Sequence, residues 1–328
     1  MLFIILVLIF SIPTVQTRLG KYATKKINDT YNTSITIAKA GLKFNGDVEL
    51  KNILIKDHQS NTLISVEELN TSIVSVSNFL NEKFNFGDIN IQGLIFNLKQ
   101  YKGDNDTNLD IFVARFDNQD VETKASNFIL SSSDISIENG VFSLINDNKN
   151  YPEIFVLNDL KVNVSNFIID GKEVRTRVNT LSFLSKKRVK LKNLNTNFEY
   201  TPQRMRFDNL NIKTAKSVLK GNLQFNYKRE DLQFFTDKVN LCAKFKQSKV
   251  NLEELNVYFD EFGKNQDVIF DANISGTLND LLVQNLKLKN NNNTKIIGDI
   301  LFKNIFTTQI NDFKMLGDFD DLSTTYDE

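Results

Sequence analysis

Asp47-Val-Glu-Leu-Lys-Asn-Ile-Leu-Ile-Lys-Asp57 decides the fold. Apolar and polar residues alternate through it, the period of a half-buried strand. Ser34-Ile-Thr-Ile-Ala38 alternates in the same way, and Asn45-Gly46 lies between the two runs. Asn-Gly in that setting is the strongest short hairpin signal. Asp57–Asn61 reads as a polar turn, after which Leu63–Val74 runs extended again.

The same unit returns as Asp88-Ile-Asn-Ile-Gln-Gly-Leu-Ile-Phe96 and, one residue longer, as Asp134-Ile-Ser-Ile-Glu-Asn-Gly-Val-Phe142. Asp159-Leu-Lys-Val-Asn-Val164 and Asp271-Ala-Asn-Ile-Ser-Gly-Thr-Leu278 are looser copies. The consensus is Asp-apolar-polar-apolar-polar-Asn/Gly-apolar. Asp47 to Asp88 is 41 residues and Asp88 to Asp134 is 46, within the range of repeat architectures. A meander of similar strands converges on the same pattern, so the spacing leaves both readings open. Helices are the minority. Asn108–Phe116 places Leu109, Phe112, Val113 and Phe116 on one face, and Asn251–Gly263 does so with Leu252, Leu255, Tyr258, Phe259 and Phe262. Both are expected to pack on, or plug, a sheet. Phe79 and Leu80 suggest a short corner, and Lys186–Lys190 a solvated edge or turn. Lys295–Phe302 and Phe313–Phe319 are the last strands, and the absence of a closing element after them reads as an open strand edge.

At the other end, Met1–Phe10 is unbroken apolar and Ser11–Val15 extends it weakly. A membrane-spanning helix needs roughly 17–25 apolar residues, so Met1–Val15 is slightly short. An uncleaved, truncated or tilted anchor over 1–16 is the first reading. A cleaved signal segment or a buried core segment are the others, and no basic residues precede the run and no A-x-A-like site follows it. Val15, Leu19, Tyr22, Ala23 and Ile27 then recur at helical spacing, with Arg18, Lys21, Lys25 and Lys26 off that stripe, where they can meet headgroup phosphates. Residues 17–31 are therefore an amphipathic junction helix and 32–328 a repetitive β region. The positive-inside tendency places this basic flank in the cytoplasm, an objection to an outward-facing body unless a further upstream flank exists.

Composition and motifs exclude much. The 328 residues carry 40 Lys+Arg against 40 Asp+Glu, so no bulk pull toward nucleic acid is implied. One Cys forms no intrachain disulfide and supports no cysteine-based metal site. His58, the single imidazole, sits in a polar turn, and Cys242 in a strand pattern. There is no GxGxxG, P-loop or HExxH. Asp104, Asp106 and Asn108 begin like a calcium loop, but Leu109 stands where Gly is needed and Arg115 where Glu is needed. The segment reads as a turn capping the Leu109 helix. The residues thus argue for no enzyme, no cofactor and no metal.

Several phrases, taken together, carry a resemblance: Ile12-Pro-Thr-Val-Gln-Thr-Arg-Leu-Gly-Lys-Tyr-Ala23, Gly46-Asp-Val-Glu-Leu-Lys-Asn-Ile53, Tyr101-Lys-Gly-Asp-Asn-Asp-Thr-Asn-Leu-Asp110, Leu130-Ser-Ser-Ser-Asp-Ile-Ser-Ile137 and Leu219-Lys-Gly-Asn-Leu-Gln-Phe-Asn-Tyr-Lys-Arg-Glu-Asp-Leu232. The chain resembles the N-terminal part of a TamB-type translocation and assembly module protein of Bacteroidota and, more distantly, the AsmA-like group. That resemblance implies one N-terminal inner-membrane helix and a periplasmic, elongated antiparallel β-sheet curled into an apolar groove (a β-taco). It implies phospholipid transport to the outer membrane, outer-membrane protein assembly, or both. It further implies an Omp85-class barrel as partner, contacted through a C-terminal domain with no counterpart here, so the chain is expected to be a fragment of a longer protein. The family supplies no catalytic residues.

The residues and the resemblance together give a mainly β fold with an N-terminal transmembrane helix and a few short helices. Val48, Leu50, Ile89, Ile91, Ile135, Ile137, Leu223 and Phe225 are the candidate groove lining. Phospholipid acyl chains are the expected ligand, the inner membrane the expected attachment and the periplasm the expected location of the body. A β scaffold that binds protein through strand edges and carries no lipid is the alternative. A secreted binding module with a cleaved signal is a third reading.

Overall fold

The alternating runs become strands. The computed structural model describes residues 13–43, 46–72, 83–115, 129–148, 153–186, 189–256, 266–291, 294–306 and 312–324. The protein is mainly β, with a few short helices. By its internal contacts the chain divides into two units, Met1–Gly171 with Ser182–Arg188, and Lys172–Leu181 with Val189–Glu328.

In the first unit, helix α1 (Pro13–Tyr31) precedes β1 (Ser34–Leu42), β2 (Asp47–Lys56) and β3 (Thr62–Ser72), which pair antiparallel in sequence. Lys43 N–H bonds Asp47 O at 2.8 Å, and Asn45 of the expected turn lies outside the described residues. Then β4 (Lys83–Phe86), β5 (Ile89–Gln92) and β6 (Ile95–Gln100) lie parallel to β7 (Ile129–Asn146). This corrects the expectation of a purely antiparallel sheet. The cause is the connection: residues 101–128, which include α2 (Asn108–Ala114), are long enough for a crossover, and a parallel pair needs a dozen residues or more. The register is the repeat itself. Ile89 faces Ile135 and Ile91 faces Ile137, the 46-residue separation of the Asp88 and Asp134 copies. β8 (Glu153–Asp170) returns antiparallel to β7.

The outer edge of β1 is met by α1 through polar side chains. The Gln16 side chain bonds both the C=O and the N–H of Leu42, at 2.6 and 3.0 Å, and Asn28 does the same to Ile35, both at 2.8 Å. Gly20 lets the helix approach, since a Cβ there would lie 2.9 Å from that of Ala40. The sheet-facing row is thus Gln16, Gly20, Thr24 and Asn28, while Tyr22 of the sequence-read stripe is 70% exposed. An edge strand offers donors and acceptors, and amides satisfy them as an apolar stripe cannot. No described helix is long and apolar enough to cross a membrane, and residues 1–12 of the expected anchor lie outside the described residues.

The second unit is an antiparallel meander of β11 (Asn193–Thr201), β12 (Arg204–Lys213), β13 (Val218–Asn226), β14 (Asn240–Asn251), β15 (Asp267–Gly276), β16 (Leu281–Asn290), β17 (Lys295–Lys303) and β18 (Lys314–Ser323). Residues 174–178 of β9 (Glu173–Ser185) pair on the free side of β11, and β10 (Lys190–Leu191) is a two-residue strand. A 3-10 segment, Arg229–Phe234, runs into α3 (Phe235–Lys238), neither expected from sequence. The Asn251–Gly263 helix is seen only as α4 (Leu252–Leu255), and Tyr258, Phe259 and Phe262 lie outside the described residues, as do Phe79 and Leu80. α4 holds the β12–β13 turn, because Glu254 accepts bonds from the Thr214 and Ser217 hydroxyls and from Lys216 N–H.

The Asn/Gly position of the consensus has a structural reason. Asn52, Gly93 and Asn139 all have positive φ, at 51°, 63° and 54°. Asn and Gly tolerate that left-handed region, which costs other residues roughly 1–2 kcal/mol. In the second unit Asn209, Gln247 and Asn285 are left-handed within strands, each 38 residues after the last and each at a bulge. Their N–H groups donate to the side chains of Asn222, Asp271 and Asp299 on the following strand, at 2.8, 2.5 and 2.8 Å. Beside the first of them, a Cβ on Gly221 would lie 2.0 Å from Lys244 O. We expect Asn52→Gly to change stability by less than about 0.5 kcal/mol and Asn52→Val to cost roughly 1–2 kcal/mol. Gly221→Ala should cost about 1–3 kcal/mol through overpacking against backbone. Urea midpoints measure all three.

Candidate functional site: the apolar faces

Residues directly opposite one another on adjacent strands share a face. In the first unit this aligns Ala40, Leu50, Leu69, Ile91, Ile137 and Val162 in one transverse row. Ile35, Ile55, Ile64, Phe96, Phe142 and Leu157 form a second, with the Phe96 and Phe142 ring centroids 5.5 Å apart. Leu160, two residues from Val162, faces Gly140, which lies two residues from Phe142, so both rows lie on one face. Ile89 and Ile135 align with Val164, and Val48 faces Leu42 and Thr71. The six predicted lining residues of this unit are all half-buried.

Leu223 and Phe225 belong to the second unit. Leu223 faces Phe207 and Ala243, and Phe225 faces Met205 and Leu241. The row through Leu223 continues to Ile274, Val283 and Ile300. Ala272, Val283, Leu286 and Ile300 are its buried core, with Phe270, Ile274, Leu288, Ile296 and Phe302 packed around them. Phe235 of α3 lies against Phe225, centroids 5.3 Å apart. The contact expected from the Leu109 and Leu252 helices is therefore made here by a segment that sequence reading missed. Its apolar residues, Leu232, Phe234 and Phe235, cluster too closely to show a helical period. Leu69, Val162, Phe207, Ala243 and Ile274 were also legible only as members of alternating runs.

The turn around His58 is a polar staple. Asp57, 4% exposed, accepts from the Tyr101 hydroxyl at 2.7 Å, from Asn108 Nδ2 at 3.1 Å, and from the N–H groups of Gln59 and Asn61. His58 Nε2 lies 3.2 Å from Asp104 Oδ2, and its ring meets the Tyr101 ring edge-on at 5.3 Å. Thr107 caps α2 in a reciprocal box with Asp110, so Asp104–Asn108 is a capping turn, as its sequence indicates. Among the described residues no group of three or more His, Cys, Asp or Glu is placed to hold a metal. Burial alone raises the Asp57 carboxyl, but its hydrogen bonds outweigh burial and hold it below the usual carboxylate range. Burial and the Asp57 bond push the Tyr101 hydroxyl up to about 12.

Comparison with models of known protein families gives no match, and comparison with curated proteins finds no relative.

Because the folded-state value for Asp57 is depressed, its stabilisation is present above the ordinary carboxylate value of 3.8 and is lost as pH falls through the folded value. Tyr101→Phe should cost roughly 1–2 kcal/mol at neutral pH and shrink the drop in stability below pH 3.8. Urea melts across pH 2–7 test both.

Proposed function

We propose that this chain is the N-terminal part of an envelope bridge of the TamB type. Residues 1–16 attach it to the inner membrane, and the body holds phospholipid acyl chains on its apolar sheet faces in the periplasm. It serves phospholipid transport to the outer membrane, outer-membrane protein assembly, or both. The observation that supports this reading is the half-buried state of the aligned lining residues. A packed core buries such residues, whereas a face that receives a mobile apolar ligand leaves them partly open. Acyl burial is worth about 0.8 kcal/mol per CH₂, so one chain lying across a row of Leu, Ile and Phe is held by several kcal/mol.

A scaffold that binds protein through a strand edge is the second reading, and β18 favours it. Among the described residues β18 pairs only with β17, and it exposes Met315, Leu316 and Leu322 at 57%, 61% and 55%. The two readings separate by mass spectrometry of lipid co-purified with the whole chain in mild detergent. About one phospholipid or more per protein is expected, falling severalfold in Ile91→Glu and Phe225→Glu. A folded, lipid-free protein overturns the lipid reading in favour of the scaffold.

A further inference from the structure

The opposite face of the same strands has a different chemistry. With Leu223, Phe225, Ala243 and Phe245 on the apolar side, alternation sends Asn222, Lys244 and Lys246 to the other. Lys244 faces Asn222 across β13–β14, and Lys220 faces Asn211 across β12–β13. These residues line a cavity of about 530 Å³ that contains Lys220, Lys244 and Lys246 and no carboxylate. None of the three ammonium groups has a hydrogen-bond or ion-pair partner among the described residues. Of the carboxylates nearby in the register, Asp208 pairs with Arg206 at 3.0 Å, and Asp271 accepts the Gln247 N–H at 2.5 Å and keeps its charge.

The bulges make this place. Asn209 and Gln247, the left-handed residues of β12 and β14, stand on either side of the cavity, and between them Gly221 presents no side chain. The Asn211 Oδ1 is a buried acceptor without a partner. Turning that amide over sets a donor at the same point, an assignment that heavy-atom positions leave free. Three exposed lysines around one open cavity repel one another, and an anion among them removes that repulsion while gaining charge-assisted hydrogen bonds. Lys51, Lys216, Lys249 and Lys295, by contrast, each sit within 3.1 Å of a carboxylate oxygen.

We infer that Lys220, Lys244 and Lys246 form a binding site for a phosphate group, carried either by a soluble phosphate compound or by an anionic lipid headgroup. The site lies on the polar side of β12–β14 and does not depend on the acyl-chain reading of the other side. Its test uses the full chain in non-ionic detergent. Inorganic phosphate is titrated by ³¹P line broadening, and, after the detergent is removed, flotation is measured with phosphatidylcholine vesicles with and without phosphatidylglycerol. The site variant K220Q/K244Q/K246Q is compared with K39Q/K172Q/K314Q, which makes the same charge change elsewhere. Phosphate affinity lower by about tenfold in the site variant alone identifies the soluble source. Loss of phosphatidylglycerol-dependent flotation in the site variant alone identifies the headgroup. No binding of either probe by the natural chain, or equal loss in both variants, overturns the site. If the triple variant unfolds, Lys244→Gln, which changes one exposed side chain, carries the same comparison with about a threefold loss expected.

Discussion

The constraint on which both units depend is the left-handed residue set into the strands. A strand's side chains alternate strictly, so one extra residue sends every later side chain to the opposite face. In the second unit β12, β14 and β16 each carry one extra residue relative to both neighbours. A single unmatched bulge scrambles the apolar set of its strand. Here Asn209, Gln247 and Asn285 stand at one level across the sheet, so the apolar rows stay aligned on both sides of that level. Holding a non-glycine residue left-handed costs roughly 1–2 kcal/mol, and a hydrogen bond of roughly 0.5–1.5 kcal/mol offsets much of that. The side chains of Asn222, Asp271 and Asp299 supply those bonds.

In the first unit the same device shares its level with glycine. Gly93 N–H bonds Glu138 O at 3.1 Å, so the kink of the β5–β6 junction lies beside the one at Asn139. This explains why the Asp88 and Asp134 copies are neighbours in space. Two strands that kink at the same distance from their starts pair in parallel without interrupting either ladder. Ser131, Ser132, Ser133 and Ser143 fix the register by bonding Asn85, Gly87, Asp88 and Asn97 on the parallel strand. The edges are handled differently. β1 is met by the amides of α1, while β18 carries Asp318, Asp320 and Asp321, charges of the kind that discourage indiscriminate strand addition.

Period two made the strands legible, and Asp57–Asn61 located the turn between β2 and β3. The Asp-to-Asn/Gly motif was visible as a repeat, but its reason was not. In sequence, an Asn inside an alternating run looks like any other polar residue, and only the backbone shows it to be left-handed. Parallel pairing was hidden because strand direction depends on where a long connection returns the chain. The helical segment at Arg229–Lys238 was hidden because ten residues hold too few turns to establish a 3.6-residue period. Leu50, Ile91 and Ile137 were legible as apolar members of copies, yet their alignment in one row follows from register, which no single strand encodes.

Overall neutrality concealed the polar face as well. Forty basic and forty acidic residues cancel in the sum, but pairing consumes carboxylates unevenly. Around β12–β14 Asp208 is paired with Arg206, and Asp271 accepts the bulge N–H of Gln247. The bulge geometry thus sets the apolar rows on one side and gathers three lysines around Gly221 on the other. An amphiphile with an acyl chain and a phosphate matches both chemistries of these strands, one to each side. A single molecule cannot touch the two sides at once through an unbroken ladder, so any such ligand must engage them at different moments, at a sheet edge, or as separate molecules.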